Sequence, residues 1–302
     1  MKKISFYGMV LLALSLTACT QDELQDNPLA DGPVALNVTA GISQVATRVS
    51  IEGNTAAFTE GDRINVVADG NETHVYTLQG SSWSAGNDPY YFQNTGNVFF
   101  QAWYADPKLQ LSANTINIDT QTQRTGSNGW NEWDILATPA VRTNVHSSTV
   151  NFTGNNAFQH VMSQVTLVFE TGDGISDLSN LTGYTVKNVT TDATFNTFTC
   201  TLTQGGTIAD ISITGISNAT GIEYTATPLI LVPQPIAGAI GLEVTYNNQT
   251  YKAELTAPTN GLQPGSSYTY NVTISNTGLT VGNAEISGWT SQTPINGDAT
   301  LQ

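Results

Sequence analysis

Val34-Ala35-Leu36-Asn37-Val38-Thr39-Ala40-Gly41-Ile42 alternates without a break: Val34, Leu36, Val38, Ala40 and Ile42 share one side of an extended chain, with Asn37, Thr39 and Gly41 opposite. Successive side chains of a strand point to opposite faces, so a period of two predicts a strand with one buried face. The same period returns, between turn residues, at 63–68, 74–78, 98–104, 147–152 and 161–169. It continues at 184–189, 196–202, 208–213, 223–232, 241–246, 250–255, 267–275 and 277–281. Tyr246-Asn247-Asn248-Gln249 falls between two of these runs and reads as a tight hairpin turn. A short helical turn is expected around 131–136, and no stretch carries a longer helical period with caps. Many short strands at this spacing predict an all-β chain of two β-sandwiches in tandem. The boundary is expected at Gly154-Asn155-Asn156, giving an N-terminal sandwich over 34–155 and a C-terminal one over 156–302.

The N-terminus reads as an export signal. Lys2 and Lys3 precede a short apolar stretch over about residues 10–16. A membrane span needs ~20 apolar residues, and this stretch falls well short. It ends in Leu16-Thr17-Ala18-Cys19, which looks like a lipobox: residues 1–18 are the signal and Cys19 carries the lipid. An ordinary secretory signal with an incidental cysteine is the competing reading. Several acyl chains on one residue make a stable anchor where a single chain is marginal. Asp22, Glu23 and Asp26 follow closely, an acidic start similar to the export tag of surface lipoproteins. Residues 19–33, with Asn27-Pro28 and Gly32-Pro33, read as an acidic flexible linker.

The formal net charge is −15, and loss of Lys2 and Lys3 with the signal makes it −17. Such a surface repels phosphate backbones, which excludes a nucleic-acid partner. Only 11% of residues are charged, so the surface is built mostly from Thr, Ser, Asn and Gln. That composition suits a protease-exposed outer surface or a stacked polymer. Of two cysteines, Cys19 is consumed by lipid, which leaves Cys200 without an intramolecular partner. Its alternation with Phe198 and Leu202 predicts a buried thiol on one strand face.

No constellation for catalysis emerges, and neither an enzyme activity nor a cofactor is expected. Histidines 74, 146 and 160 have no metal-like partner at short spacing, and His160 reads as structural. Nucleophile elbows, phosphate-cradling loops and His-Glu-x-x-His patterns are absent from the sequence. Asp173-Gly174 and Asp177 could line a calcium loop, but a polar turn fits their spacing better. Trp83, Tyr90, Tyr91, Trp103, Trp130 and Trp133 could stack on sugars or fill a sandwich core.

Several local patterns stand in order along the chain. Ala46-Thr47-Arg48 follows the first strand, and Phe58-Thr59-Glu60-Gly61-Asp62-Arg63-Ile64-Asn65-Val66 comes next. Phe158-Gln159-His160-Val161-Met162-Ser163-Gln164-Val165-Thr166-Leu167 stands at mid-chain. Leu231-Val232-Pro233-Gln234, then Leu262-Gln263-Pro264-Gly265-Ser266-Ser267-Tyr268-Thr269-Tyr270, and finally Ile286-Ser287-Gly288-Trp289 complete the set. Together with the lipobox this order resembles the fimbrillin family, the subunits and tip proteins of type V pili. Phe58 stands near the place where that family often carries Trp.

The resemblance implies two transthyretin-like β-sandwiches behind a lipoprotein signal. It implies an Arg-specific surface protease that trims the first strand, and polymerisation with other fimbrial subunits by strand exchange. The cut is expected between Arg48 and Val49, with Arg124 as the main competing site. Leu279, Val281, Ile286 and Trp289 are the expected donor-strand residues. The implied function is a structural or adhesive fimbrial subunit at the outer membrane and then in the fimbria, with a host or bacterial surface ligand as a further partner. The competing function is a monomeric surface lipoprotein that binds glycan.

Overall fold

The computed structural model describes residues 29, 32–43, 57–126 and 131–288. The signal peptide, Cys19, Arg48, Val49, Trp130 and Trp289 lie outside the described residues. The regular secondary structure of the described residues is almost wholly strand, with two single-turn 3-10 segments, Val145–Ser147 and Gly154–Asn156.

The first core lies between a large sheet and a strand pair. The sheet runs Gln159–His160, Leu136–Ala137, Val98–Tyr104, Arg63–Ala68, Glu72–Gln79 and Ser82–Ser84, with Val141–Thr143 also on Val98–Tyr104. Alternation turns Ile64, Val66, Phe100, Ala102 and Tyr104 inward. Facing them are Leu36, Val38, Ile42, Val150, Phe152 and Phe158, from the first strand, its partner Thr149–Phe152 and the segment beyond.

The second core is a sandwich of two larger sheets. One contains Glu223–Thr225, Ser163–Thr171, Ser266–Ser275 and Gly278–Val281, with Leu229–Leu231 and Glu285–Gly288 attached. The other runs Ile208–Thr214, Leu181–Thr190, Ala239–Tyr246 and Gln249–Thr256. Val165, Leu167, Phe169, Tyr268, Tyr270 and Val272 pack against Tyr184, Val186, Leu242 and Val244 across the gap.

A third layer joins the two. Thr115–Asp119 pairs antiparallel with Asp192–Asn196, so strands from both halves of the chain share one four-stranded sheet with Leu111–Ser112 and Thr201–Gln204. Beneath it Ile116, Ile118, Phe195, Trp103, Trp133, Met162, Ile230 and Val232 form a separate apolar cluster. Gln123 adds a polar rung. Its Oε1 accepts from Ile230 N at 2.9 Å and its Nε2 donates to Ile230 O at 2.9 Å, as a neighbouring strand would.

Most expected strands are found, and Arg63–Ala68 and Val98–Tyr104 match to the residue. The Asn247-Asn248 hairpin also holds, with both residues at positive φ as a two-residue turn requires. Four expectations are corrected. The turn at 131–136 is no helix: Asn131 Oδ1 accepts from Trp133 N and Asn131 O from Asp134 N, closing one turn that runs into Leu136–Ala137. The start of 147–152 is the end of a 3-10 turn, and the strand begins at Thr149. The run 223–232 splits into Glu223–Thr225 and Leu229–Leu231: both pair with Ser163–Thr171, Ala226 N still reaches Leu167 O, and the register shifts by one residue around Pro228, which has no N–H.

The fourth correction concerns Cys200. The strand Asp192–Asn196 ends short of it, the chain turns back into the antiparallel strand Thr201–Gln204, and Cys200 sits in the turn between them at φ 53. It is nevertheless buried and free. Burial pushes its thiol up to about 12. An acid whose folded pKa is raised adds stability that is full below its unfolded value and is lost as pH climbs toward 12. Native protein is therefore expected to react with a disulfide reagent at pH 8 at least about a hundredfold slower than protein in denaturant. Equal rates in the two states would contradict the burial.

Candidate functional site: the first strand and its trough

Residues 34–42 are held on both edges. On one side Asn37–Ala40 pairs parallel with Thr149–Phe152, in register from Asn37↔Thr149 to Ala40↔Phe152. Asn37 N donates to Ser148 O (2.8 Å), Gly41 N to Phe152 O (3.0 Å) and Ser43 N to Phe158 O (2.8 Å), extending the ladder at both ends. On the other side Leu36 N donates to Tyr90 O (2.9 Å) and Phe92 N to Val34 O (3.0 Å) around an antiparallel bridge between Ala35 and Tyr91. The two edges are engaged in succession, residues 34–36 against 90–92 and 37–43 against 148–158.

Its lower face forms part of the core. Leu36, Val38 and Ile42 are buried among Tyr76, Phe100, Phe152 and Phe158. Burying three such side chains is worth roughly 5–9 kcal/mol as an upper bound. Tyr76 Oη donates to Leu36 O at 3.2 Å, and burial pushes that phenol up to about 12, so it remains a donor at any ordinary pH. On the upper face Thr39 Oγ1 donates to Asn151 Oδ1 at 2.5 Å.

The residues quoted around Gly61-Asp62 close one end of this trough. Phe58 meets Trp83, Tyr104 and Phe158 edge-on, with centroids 5.2, 5.5 and 5.2 Å away. Asp62 Oδ2 accepts from Thr59 N (2.7 Å) and Thr59 Oγ1 (3.2 Å), and Gly61 supplies the φ of 90° that the turn needs. Glu60 Oε2 then accepts from Gly80 N, pinning this turn to the adjacent hairpin. The aromatic plug and its turn hold the trough in shape beside the strand.

The donor-strand candidates lie elsewhere. Gly278–Val281 and Glu285–Gly288 pair one after the other with Ser266–Ser275, at Val272↔Val281 and Tyr268↔Ile286. Leu279, Val281 and Ile286 are buried in the second core. The bend between the two strands carries Gly282, whose N–H reaches Asn271 O.

The remaining candidates have structural positions. His160 Nδ1 lies 2.7 Å from Asp134 Oδ1, both side chains buried, beside the junction of the cores. His74 sits between Glu72 Oε1 and Asp88 O, each 3.0 Å from one ring nitrogen. Asp177 closes a turn: the Ser179 hydroxyl and amide donate to its carboxylate and hold it below the usual range. Among the described residues no three metal-ligating side chains converge. Tyr90, Trp103 and Trp133 are buried, Trp83 is half-buried against the first core, and only Tyr91 of the described set is exposed. Tyr90, Trp103 and Trp133 belong to the cores.

Sequence reasoning passed over two glutamines that act as strand rungs. Besides Gln123, Gln234 accepts from Thr190 N (2.7 Å) and donates to Thr190 O (3.0 Å) and Val232 O (2.9 Å). A glutamine beside proline in an otherwise apolar run was the available signal.

The described residues thus form an all-β body whose most elaborated feature is an apolar strand seated in a trough. Residues 47–289 match the Fimbrillin-like family, and the chain belongs to it. It is similar to a candidate fimbrium subunit of Bacteroides uniformis, Fim1C, 26% identical over 318 aligned positions that cover 96% of each chain. Its fold is similar to that of a candidate cell adhesion protein from Bacteroides uniformis, with a TM-score of 0.65 and 21% identity over 85% of this chain and 99% of that one. A second such protein, from Bacteroides ovatus, gives 0.63 and 22% over 87% and 100%. Family membership makes this a fimbrial protein of the cell surface, with a structural or adhesive role.

Leu36→Ala is expected to cost about 2–5 kcal/mol in denaturant unfolding, and Asn37→Ala, on the exposed side, within about 0.5 kcal/mol of zero. Equal, small effects at both positions would mean that the first strand is not part of the folding unit.

Proposed function

We propose that this protein is a fimbrial subunit exported as a lipoprotein on Cys19, cut after Arg48 and polymerised by strand exchange. The observation that carries the reading is the first strand itself, inserted between Tyr90–Phe92 on one edge and Thr149–Phe152 on the other, with Leu36, Val38 and Ile42 in the core. Two tandem sandwiches, divided near residues 154–156, are the proposed units of assembly. The cut lies behind the strand, so the fragment that leaves carries residues 34–42 with it.

Loss of that strand opens two edges of N–H and C=O groups and an apolar floor in one step. A strand from another subunit relieves all of them together. The proposed donor is the C-terminal segment, residues 277–302. Gly278–Val281 and Glu285–Gly288 lie on the edge of their own sheet, from which a strand can leave without splitting the sheet. Leaving removes Leu279, Val281 and Ile286 from the second core, so lending is favourable only when a comparable trough receives them. A head-to-tail contact of this kind does not close on itself, and it gives a filament. Partners on this reading are other fimbrial subunits, an Arg-specific surface protease and a host or bacterial surface ligand.

Four variants test the reading in native cells. Cys19→Ser is expected to abolish palmitate labelling and outer-membrane fractionation; retention of both excludes lipoprotein export. Arg48→Ala is expected to accumulate the full-length lipoprotein and form no polymer ladder; wild-type ladders exclude release by cutting. Deletion of 277–302 is expected to leave cutting intact and stop polymer growth. Deletion of 289–302 spares Leu279, Val281 and Ile286, and so separates a donor beyond Gly288 from one within the described edge.

A further inference from the structure

The sequence holds four arginines, Arg48, Arg63, Arg124 and Arg142. Arg63 opens the strand Arg63–Ala68 and stands opposite Thr77 of Glu72–Gln79, and Val98–Tyr104 pairs the same strand from Asn65 onward. Arg142 lies within Val141–Thr143, where it stands opposite Phe99. A protease reads its substrate as an extended segment with the basic side chain placed in a pocket, so a residue built into a ladder is cut only after local unfolding. Arg124 is different, because it lies in a loop, the kind of place where nicking concentrates.

The structure assigns to Glu132 the task of withholding Arg124 from Arg-specific proteolysis, so that the fold itself limits the cut to one arginine. This rests on the processing reading given above. Four successive residues around the Arg124–Thr125 bond are pinned. Thr122 O accepts from Trp133 Nε1 at 2.8 Å. The Gln123 side chain is tied to both backbone groups of Ile230, and its Oε1 also accepts from Asn131 Nδ2 at 2.8 Å. Arg124 O, the carbonyl a protease must attack, accepts from Glu132 N at 2.8 Å. Thr125 O accepts from Lys108 Nζ at 3.1 Å, and Thr125 forms a bridge with Asn131.

The side chain is held as firmly as the backbone. Arg124 Nη2 lies 2.8 Å from Glu132 Oε1, and the guanidinium carbon stands 4.9 Å from the centroid of the Trp133 ring. Glu132 is only 3% exposed at its side chain, whereas Arg124 is 49% exposed. A buried carboxylate without its cation would be strongly unfavourable, so Glu132 resists transfer of the guanidinium to an acidic protease pocket. Cation–π contact with Trp133 adds to the same hold. Glu132 thus acts as a competitor for the group that the protease reads.

The test is limited digestion of the full-length chain with an Arg-specific protease under native conditions, followed by intact mass. Wild type is expected to show no break at Arg124 when the Arg48 site is fully cut. Glu132→Gln keeps the shape and removes the charge, and cutting at Arg124 is expected to rise at least about tenfold with Arg63 and Arg142 still intact. Wild-type cutting at Arg124 as fast as at Arg48, or a Glu132→Gln chain that stays uncut there, overturns the inference. If Glu132→Gln opens all three arginines, Gln123→Leu, which removes the side-chain bonds to Ile230, Asn131 and Thr120 and leaves Glu132 in place, decides: selective cutting at Arg124 supports local locking, and general cutting again overturns it. A wild type uncut at Arg48 counts against the processing reading alone, because the Arg124 comparison between the two chains is read separately.

Discussion

A strand inserted in the wall of a sandwich satisfies three demands together, and its removal leaves all three unmet. Its backbone groups pair on two sides, its apolar face closes the core, and its ends anchor the neighbouring segments. In this chain residues 34–42 meet those demands through Tyr90–Phe92, Thr149–Phe152 and Phe158. Unpaired backbone groups and exposed apolar floor are each costly alone. Because they occur in the same trough, any occupant must supply an extended backbone and alternating apolar side chains at once. The shape of the trough is kept by a turn that does not belong to the strand, through Phe58, Asp62 and Glu60.

The third layer ties this trough to the rest of the molecule. Thr115–Asp119 and Asp192–Asn196 share one sheet, and Trp103, Trp133, Phe195 and Ile230 pack beneath it. The same region holds the loop of Gln123 and Arg124. There the Trp133 ring of the cluster and the Glu132 carboxylate hold the Arg124 guanidinium.

Reading the sequence went furthest where one face of a strand is buried and the other is wet. Arg63–Ala68 and Val98–Tyr104 are legible because their alternation runs for several residues with aromatic or β-branched side chains on the inner face. Ser82–Ser84, Leu111–Ser112 and Leu136–Ala137 are too short for a period to register. Cys200 shows a subtler failure. Its parity with Phe198 and Leu202 suggested one strand face, yet the burial comes from a turn whose thiol folds back under the third layer. Trp103 and Trp133 looked like exposed rings in polar surroundings, and they are core because Phe195 and Ile230, distant in sequence, pack in the same cluster.

By itself the sequence determined the fold class, the family and which residues of each long strand face inward. A period of two fixes the face of a strand, and it does so whatever lies beside it. Only the tertiary structure decided the neighbours. It set Asn37–Ala40 parallel to Thr149–Phe152, placed Leu279, Val281 and Ile286 in the second core, and built glutamine side chains into ladders. Pairing depends on hydrogen bonds that every backbone can make equally, so partner choice is settled by the packing of all the faces at once.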